Sequence, residues 1–347
     1  MADTLPAVRP PSAGISGTAA TNGDSPAIAA CTSAYRDAMR TRLELAEAST
    51  DARTQLIAAA LAQMLYEDPE ESAVRSGTAL ARARELAPED VLVAWTAAMS
   101  CYPDIGCDRG EAVSDLLRLD RDNAAAWLFA LSDATLRQDH AAIDKALDAA
   151  ARAPRYDSHF GDLPLAAMEW MRAVPYPREC KQAAEGLGRH LGLARPAARD
   201  DYIAMLAMPM MSVESFLGIV RACKPDDAEA SPRRARDCAA VYARMAGSNA
   251  LITRQLALTM LVQYTSNLPE GAQWRERMRA QQWLMEQMRF RRRPKGWATE
   301  QFTQGEVPML EATLEQEDRW PPPAGWLPHD PRARALVTTG QLPPGTH

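Results

Sequence analysis

Two similar stretches of sequence, residues 86–95 and 119–127, decide the fold of this chain. The first reads Leu-Ala-Pro-Glu-Asp-Val-Leu-Val-Ala-Trp and the second reads Leu-Asp-Arg-Asp-Asn-Ala-Ala-Ala-Trp. Each stretch ends one apolar helical pattern, crosses a polar turn with a helix-capping Asp or Asn, and begins another helix. The closing tryptophans, Trp95 and Trp127, lie 32 residues apart. This recurrence indicates a helical repeat with a period near that length.

Helical patterns continue on both sides of these stretches, with Pro or Asp at most of the breaks. They predict helices at 51–66, 71–86, 90–101, 109–118, 123–137 and 140–151. Short helices with short connections are typical of stacked antiparallel helix pairs, because each pair buries one face against the next. Further helical patterns run from 163 to 292, and two short ones follow near 306–317 and 331–338.

Over roughly residues 50–155 the chain resembles the tetratricopeptide-repeat family, in a degenerate form of a bacterial type. Trp95 and Trp127 match the bulky residue early in the first helix of a repeat. The small residue at the helix crossing and the terminal proline are matched twice, by Ala83, Pro88, Ala150 and Pro154. The Gly-Tyr pair of the family is missing after Trp127. The resemblance implies an α-solenoid whose first helices line a groove for a protein or peptide.

Composition favours the all-α class independently of the repeat. Hydrophobic residues make up 47% of the 347 residues and aromatic residues only 6%. The apolar fraction is mostly Ala, Leu and Met, which favour helices over strands. We therefore expect stacked antiparallel helix pairs, with a disordered N-terminal tail and an irregular C-terminal tail.

Four regions follow from these patterns. Residues 1–25 predict a disordered tail, since they are rich in Ala, Pro, Gly, Ser and Thr. We expect the tetratricopeptide-like repeats at residues 26–157 and further helical hairpins, continuous with them, at residues 158–300. Residues 301–347 predict an irregular tail with short helices, in which the Pro-rich segment at 321–326 wraps the domain.

The charge of the chain bears on its partners. The net charge is −6, so no global positive field favours nucleic acid or an anionic membrane. The one dense basic run, residues 289–295, reads as a solvated helix end or as a small anion-binding patch. No apolar run is long enough to predict a transmembrane helix. We expect a protein or peptide partner, and no nucleic acid.

Six cysteines suggest three disulfides. Two pairs flank short turns between predicted helices, where Cα atoms can come within the roughly 4.4–6.8 Å that a disulfide needs. These two pairs are Cys101 with Cys107 and Cys223 with Cys238. The remaining pair is Cys31 with Cys180. The alternative is six buried free thiols. Paired cysteines predict a periplasmic or secreted protein, whereas free thiols and a native start at Met1, which begins no signal peptide, predict a cytoplasmic one.

The groove implied by the repeats would be lined by residues of the first helices. The candidates are Met99, Asn123, Leu131 and Arg137. Trp95 and Trp127 fall on the same helices, but burial between repeats is the favoured interpretation for both. The corresponding function is non-catalytic protein binding or scaffolding.

An enzyme with its site in the less regular second half is the alternative function. The loop at 156–162 places His159 among Asp157 and Asp162, which suggests an acid–base or metal site, or else an Asp helix cap and a His packed between repeats. His190 is a second candidate. The sequence has no zinc-binding, phosphate-binding or dinucleotide-binding motif, so no catalytic residue, metal or cofactor is expected.

Overall fold

The structure, a computed structural model, describes residues 26–101, 107–211, 216–224, 231–289 and 296–343. Regular structure in these ranges is helical, apart from an isolated parallel bridge between Asn123 and Arg155. The all-α class predicted from composition is therefore confirmed. The tail predicted at 1–25 lies outside the described residues. No helix in the described ranges has both the length and the apolar content needed to cross a lipid bilayer.

The helices of the first half begin close to where the sequence predicts them. They are α1 (Pro26–Ala46), α2 (Ala52–Leu65), α3 (Pro69–Leu86), α4 (Val91–Ser100), α5 (Arg109–Asp120), α6 (Ala124–Leu136) and α7 (His140–Arg152). From α2 onward, each begins after an Asp or Asn whose side-chain oxygen accepts a backbone N–H of the first turn. Such caps replace hydrogen bonds that the first turn of a helix lacks.

Consecutive helices of this half pack as pairs, α2 with α3, α4 with α5 and α6 with α7. Trp95 is fully buried, and its ring meets that of Phe129 edge-on with centroids 5.1 Å apart. Alanines on α4 and α6 surround this contact, and their small side chains let the helices approach closely. The burial predicted for Trp95 is thus observed, while Trp127 is half-buried.

The second half is helical as well. Its helices are α8 (Asp162–Arg172), α9 (Arg178–Gln182), α10 (Ala184–His190), α11 (Arg199–Ala207), α12 (Phe216–Ala222), α13 (Pro232–Met245), α14 (Leu251–Tyr264), α15 (Gly271–Arg289), α16 (Trp297–Gln304), α17 (Glu306–Glu315) and α18 (Pro331–Thr339). The pattern over 179–193, expected to form one helix, forms α9 and α10. Helix α10 ends early because Gly192 takes a φ of 69° and turns the chain back, so that Leu193 N–H donates to Gly188 O at 2.8 Å.

Helix α16 was not expected from the sequence and crosses the boundary expected at residue 300. It lies between Gly296 and Gly305, both at positive φ, and contains threonines that are weak helix formers. Packing against α8 and α11 stabilises it, with Trp297 and Phe302 buried in the core. Tertiary contacts therefore outweigh a poor local propensity at this position.

Helices α8 to α11 fold back onto the start of the chain. Helix α9 packs on α1, α8 packs on α2, and α11 packs on α8. The predicted apolar stripe of α1 is buried in this contact, as the burial of Cys31, Tyr35 and Met39 shows. This part of the chain therefore covers surface of α1 and α2 that would otherwise be open.

The chain then returns to the helix pairs. Helix α12 packs on α6, and α13 packs on α7, while α14 packs on α13 and α15 packs on α14. At the α6–α12 crossing, Gly218 lies so close to α6 that an added Cβ would be 2.6 Å from the backbone nitrogen of Ser132. Only glycine allows this approach.

The Pro-rich segment lies along α15, as the expected wrapping segment should. Trp283 of α15 donates from Nε1 to the carbonyl of Arg319 at 3.0 Å, and Arg279 donates to the carbonyl of Pro323 at 2.9 Å. The rings of Trp283 and Trp326 meet edge-on with centroids 5.0 Å apart. The segment thereby positions α18 against α14 and α15.

All three disulfides have the predicted pairing. The Cα–Cα distances are 4.4 Å for Cys31–Cys180, 5.3 Å for Cys101–Cys107 and 5.7 Å for Cys223–Cys238. The second joins α4 to α5 and the third joins α12 to α13, so each closes one helix pair. The first joins α1 to α9 and closes the contact between the chain start and the folded-back helices.

Removing Cys31–Cys180 should cost more stability than removing Cys101–Cys107. The two bonds close 149 and 6 residues of chain, and loop entropy assigns them about 5 and about 2 kcal/mol. We expect Cys31→Ala with Cys180→Ala to lower the urea midpoint more than Cys101→Ala with Cys107→Ala. The denatured wild-type protein should show no reactive thiol before reduction. Equal midpoints for the two double variants would contradict the expectation.

The α6–α12 crossing gives a second stability prediction. Gly218→Ala places a methyl group against the backbone of α6, and overpacking of this kind costs about 1–3 kcal/mol. Val220→Ala on the same helix is the control, because Val220 is 40% exposed. Urea denaturation should show a clear loss for Gly218→Ala and little change for Val220→Ala. A wild-type midpoint for Gly218→Ala would mean that the helices do not approach this closely.

Candidate functional site

The four groove candidates do not share one exposed surface. Asn123 and Leu131 are fully buried, whereas Met99 is half-buried at the end of α4. Arg137 is exposed at the end of α6, where it pairs with Asp133 one turn earlier. In this conformation a partner lying on α4 and α6 would not contact Asn123 or Leu131.

His159, the residue on which the alternative function depends, lies between two carboxylates. Its Nδ1 is 2.8 Å from Asp162 Oδ2, and its Nε2 is 3.4 Å from Asp120 Oδ2. Asp120 is buried and also pairs with the guanidinium of Arg155. The imidazole meets the ring of Trp95 edge-on with centroids 4.9 Å apart. His159 therefore connects the end of α5, the start of α8 and the middle of α4.

Asn123 completes this network. Its amide nitrogen donates to Asp120 Oδ2 and to the carbonyl of Asp157, both at 2.7 Å. Its Oδ1 accepts from the backbone N–H groups of Ala125 at 3.1 Å and Asp157 at 2.9 Å. All four hydrogen-bonding positions of the amide are thus used. One buried side chain caps α6 and holds the segment that follows α7.

The electrostatics of the network make His159 a cation. Burial by itself would lower the pKa of His159, because it disfavours the charged ring. The hydrogen bonds to Asp120 and Asp162 outweigh burial and raise the pKa to about 9. The hydrogen bond from His159 lowers the pKa of Asp162, and its neighbours also lower the pKa of Asp120 against the effect of burial. At neutral pH an imidazolium therefore lies between two carboxylates.

This geometry suits an ionic clamp better than acid–base chemistry. Both ring nitrogens of His159 face carboxylates, so neither has a lone pair free to accept a proton or bind a metal. Within the described residues, no group of three or more His, Cys, Asp or Glu side chains is arranged to hold a metal ion. The non-catalytic interpretation expected a packed His and an Asp helix cap. The packed His is observed, but the residue before α8 is Gly161, which makes no side-chain cap.

Sequence reasoning missed Asp120 and Arg155, which belong to the same network. Asp120 stands three residues before Asn123, ahead of the alanine run of α6. A buried acid in a turn is not visible from sequence, because the pairing partners come 35 and 39 residues later. His190 is exposed at the end of α10. In the basic run, residues 290–295 lie outside the described residues.

A hollow of about 360 Å³ lies between α3 and α5 in the first half of the chain, and we call it the α3–α5 hollow. Val93 and Ala94 of α4 are almost fully buried and form its floor. The remaining wall is small and apolar, and the rim carries charges. These residues are Ala81, Ala87 and Pro88 on the wall, and Arg84, Glu85, Glu111, Asp115 and Arg118 on the rim. An apolar floor within a charged rim can accept one side chain of a ligand.

Comparison of the chain with protein-family models, with curated proteins and with solved structures gives no match. The resemblance to tetratricopeptide repeats therefore depends on the residues around Trp95 and Trp127, and it remains a prediction.

The His159 network gives a pH prediction. The folded pKa of His159 is raised from 6.5 to about 9, so its contribution is complete below pH 6.5 and is lost as the pH rises towards 9. The loss should be at most about 3 kcal/mol. Urea denaturation across this range should show falling stability in the wild type and a smaller fall in His159→Gln. The control is His140→Gln at an exposed position, which should follow the wild type.

At acid pH the network should lose stability as the pH falls, the reverse of the change above pH 6.5. The pKa values of Asp120 and Asp162 are lowered from 3.8, so their contribution is present above that pH and is lost as the pH falls. The network should therefore stabilise the fold most between about pH 4 and 6.5. If His159→Gln has the same pH profile as the wild type between 6.5 and 9, the clamp is absent in solution.

Proposed function

We propose that this chain is a non-catalytic interaction protein that binds a segment of a partner protein on its stacked helix pairs. The α3–α5 hollow carries the proposal, because it gives the repeat half a site the size of a side chain with an apolar floor. The packing of α12 and α13 on α6 and α7 supports the predicted α-solenoid, since it extends the stack of pairs. The resemblance to tetratricopeptide repeats points in the same direction, by analogy of fold.

The clamp around His159 is consistent with a non-catalytic role. A protonated imidazole held by two carboxylates lacks a basic nitrogen near neutral pH, and the residues around it join helices. In this proposal the least regular part of the chain, α8 to α11, supports the stack by covering α1 and α2.

We further propose that the protein works where thiols are oxidised, such as a bacterial periplasm or the cell exterior. The three disulfides support this, because they account for all six cysteines and reducing cytosol disfavours such bonds.

A peptide selection tests the proposed function. The full-length protein with intact disulfides is immobilised and challenged with a displayed library of random dodecapeptides. The same protein, reduced and denatured, is the control. We expect families of peptides that bind the native protein with Kd values below about 100 μM, a modest affinity for so small a site.

Failure to enrich any peptide over the denatured control would contradict the proposal. Turnover of a general hydrolase substrate panel that His159→Gln abolishes would favour the enzyme instead. The His140→Gln variant controls for the loss of a histidine elsewhere.

A further inference from the structure

The rim of the α3–α5 hollow has two arginines, and both are already engaged. Arg84 of α3 reaches across to α5, where its Nη2 lies 2.8 Å from Asp115 Oδ2 and 3.4 Å from Glu111 Oε1. Arg118 of α5 reaches back, and its Nη1 lies 2.9 Å from both carboxylate oxygens of Glu89. Both arginines of the rim are therefore held in ion pairs, one with acids of α5 and one with Glu89, which follows α3.

Acidic charge remains after this pairing. Glu85 lines the hollow, is exposed, and has no ion-pair partner in the part of the chain that the structure describes. The side chain of Glu111 is 65% exposed. Of the two acids that pair with Arg84, Glu111 is farther from the guanidinium than Asp115 is. The charges lining the hollow are two arginines against Glu85, Glu111 and Asp115. The rim can therefore accept a cation without breaking either ion pair.

The apolar part limits what can lie between these charges. Ala81, Ala87 and Ala94 project only methyl groups, and Val93 at the bottom is 1% exposed. A volume of about 360 Å³ lies at the lower end of ligand sites. One aliphatic side chain fits this space, whereas a charged group placed on the floor would lose its hydration.

We infer that the α3–α5 hollow binds a partner segment in which one aliphatic side chain is flanked by Arg or Lys, an inference that rests on the proposed function. The aliphatic side chain contacts Ala81, Ala87 and Pro88, above the nearly covered Val93 and Ala94. The flanking cations pair with Glu85 and Glu111, in the manner of an electrostatically complementary interface. An acidic segment would meet uncompensated carboxylates and is rejected.

The test uses three labelled peptides that differ only in the residues beside a central leucine. One has the core Arg-Leu-Arg, one Gln-Leu-Gln and one Glu-Leu-Glu, each between Gly-Ser ends. Binding to the full-length protein with intact disulfides is followed by fluorescence anisotropy at low salt. We expect the Arg peptide to bind about 1.5- to 5-fold tighter per cation than the Gln peptide, the effect of an exposed ion pair, and the Glu peptide to bind weakest.

Charge reversal at the rim locates the site. The double variant Glu85→Lys with Glu111→Lys should reverse the order, so that the Glu peptide binds tightest. The matched control reverses two exposed acids elsewhere, Glu44→Lys with Glu169→Lys, and should keep the wild-type order. Urea midpoints of both variants establish that they are folded. A third variant, Ala81→Trp, fills the hollow from its wall and should abolish binding of all three peptides.

The inference is overturned if the Arg peptide binds no better than the Gln peptide, or if rim reversal leaves the order unchanged. It is also overturned if the peptides from the random selection bind the Ala81→Trp variant as well as the wild type. In that last case the proposed function stands, since a segment binds elsewhere on the helices. If the random selection enriches nothing, the proposed function fails as well.

Discussion

The buried carboxylate of Asp120 holds the segment that leads from the first half of the chain into the second. A buried charge is costly unless it is paired and hydrogen-bonded. Asp120 ends α5, and its partners His159 and Arg155 come from the segment between α7 and α8. Asn123 ties the same carboxylate to the start of α6. These contacts hold the segment that follows α7 against the end of α5 and the start of α6.

The backbone conformation of His159 is also consistent with a structural role. Its φ of 50° lies in the left-handed region, which is unfavourable for a residue other than glycine. The N–H of His159 donates to Asp157 Oδ1 at 2.9 Å, and its ring bonds two further acids. These contacts stabilise the strained conformation. Strain of this kind is often found at functional sites, but here both ring nitrogens are occupied and the strain supports a joint between helices.

A disulfide and helix packing hold the other parts of the molecule together. The folded-back helices α8 to α11 are held to α1 by Cys31–Cys180, and they cover surface on the first helix pair. In the α3–α5 hollow, an apolar floor lies beside charged residues that the fold does not fully neutralise.

Much of the local structure could be predicted from the sequence, because it depends on nearby residues. The helix starts follow from capping Asp and Asn residues, and the apolar stripe of α1 follows from helical spacing. The partners of Cys101 and Cys223 follow from their position beside short turns. Helix α16 could not be predicted, because contacts with α8 and α11 outweigh its weak propensity.

The sequence by itself determined the helical class and most helix boundaries, since each is encoded within a few residues, and it left the cysteines open between three disulfides and free thiols. Only the tertiary structure decided which polar residues face inward. Asn123 has the sequence features of a groove residue, yet it is buried, and its amide bonds Asp120, Asp157 and the backbone N–H of Ala125. The charges of the α3–α5 hollow likewise come together only because α3 and α5 lie near each other, with pairing that leaves Glu85 without an ion-pair partner in the described chain. Long-range packing sets these contacts, and no local pattern records it.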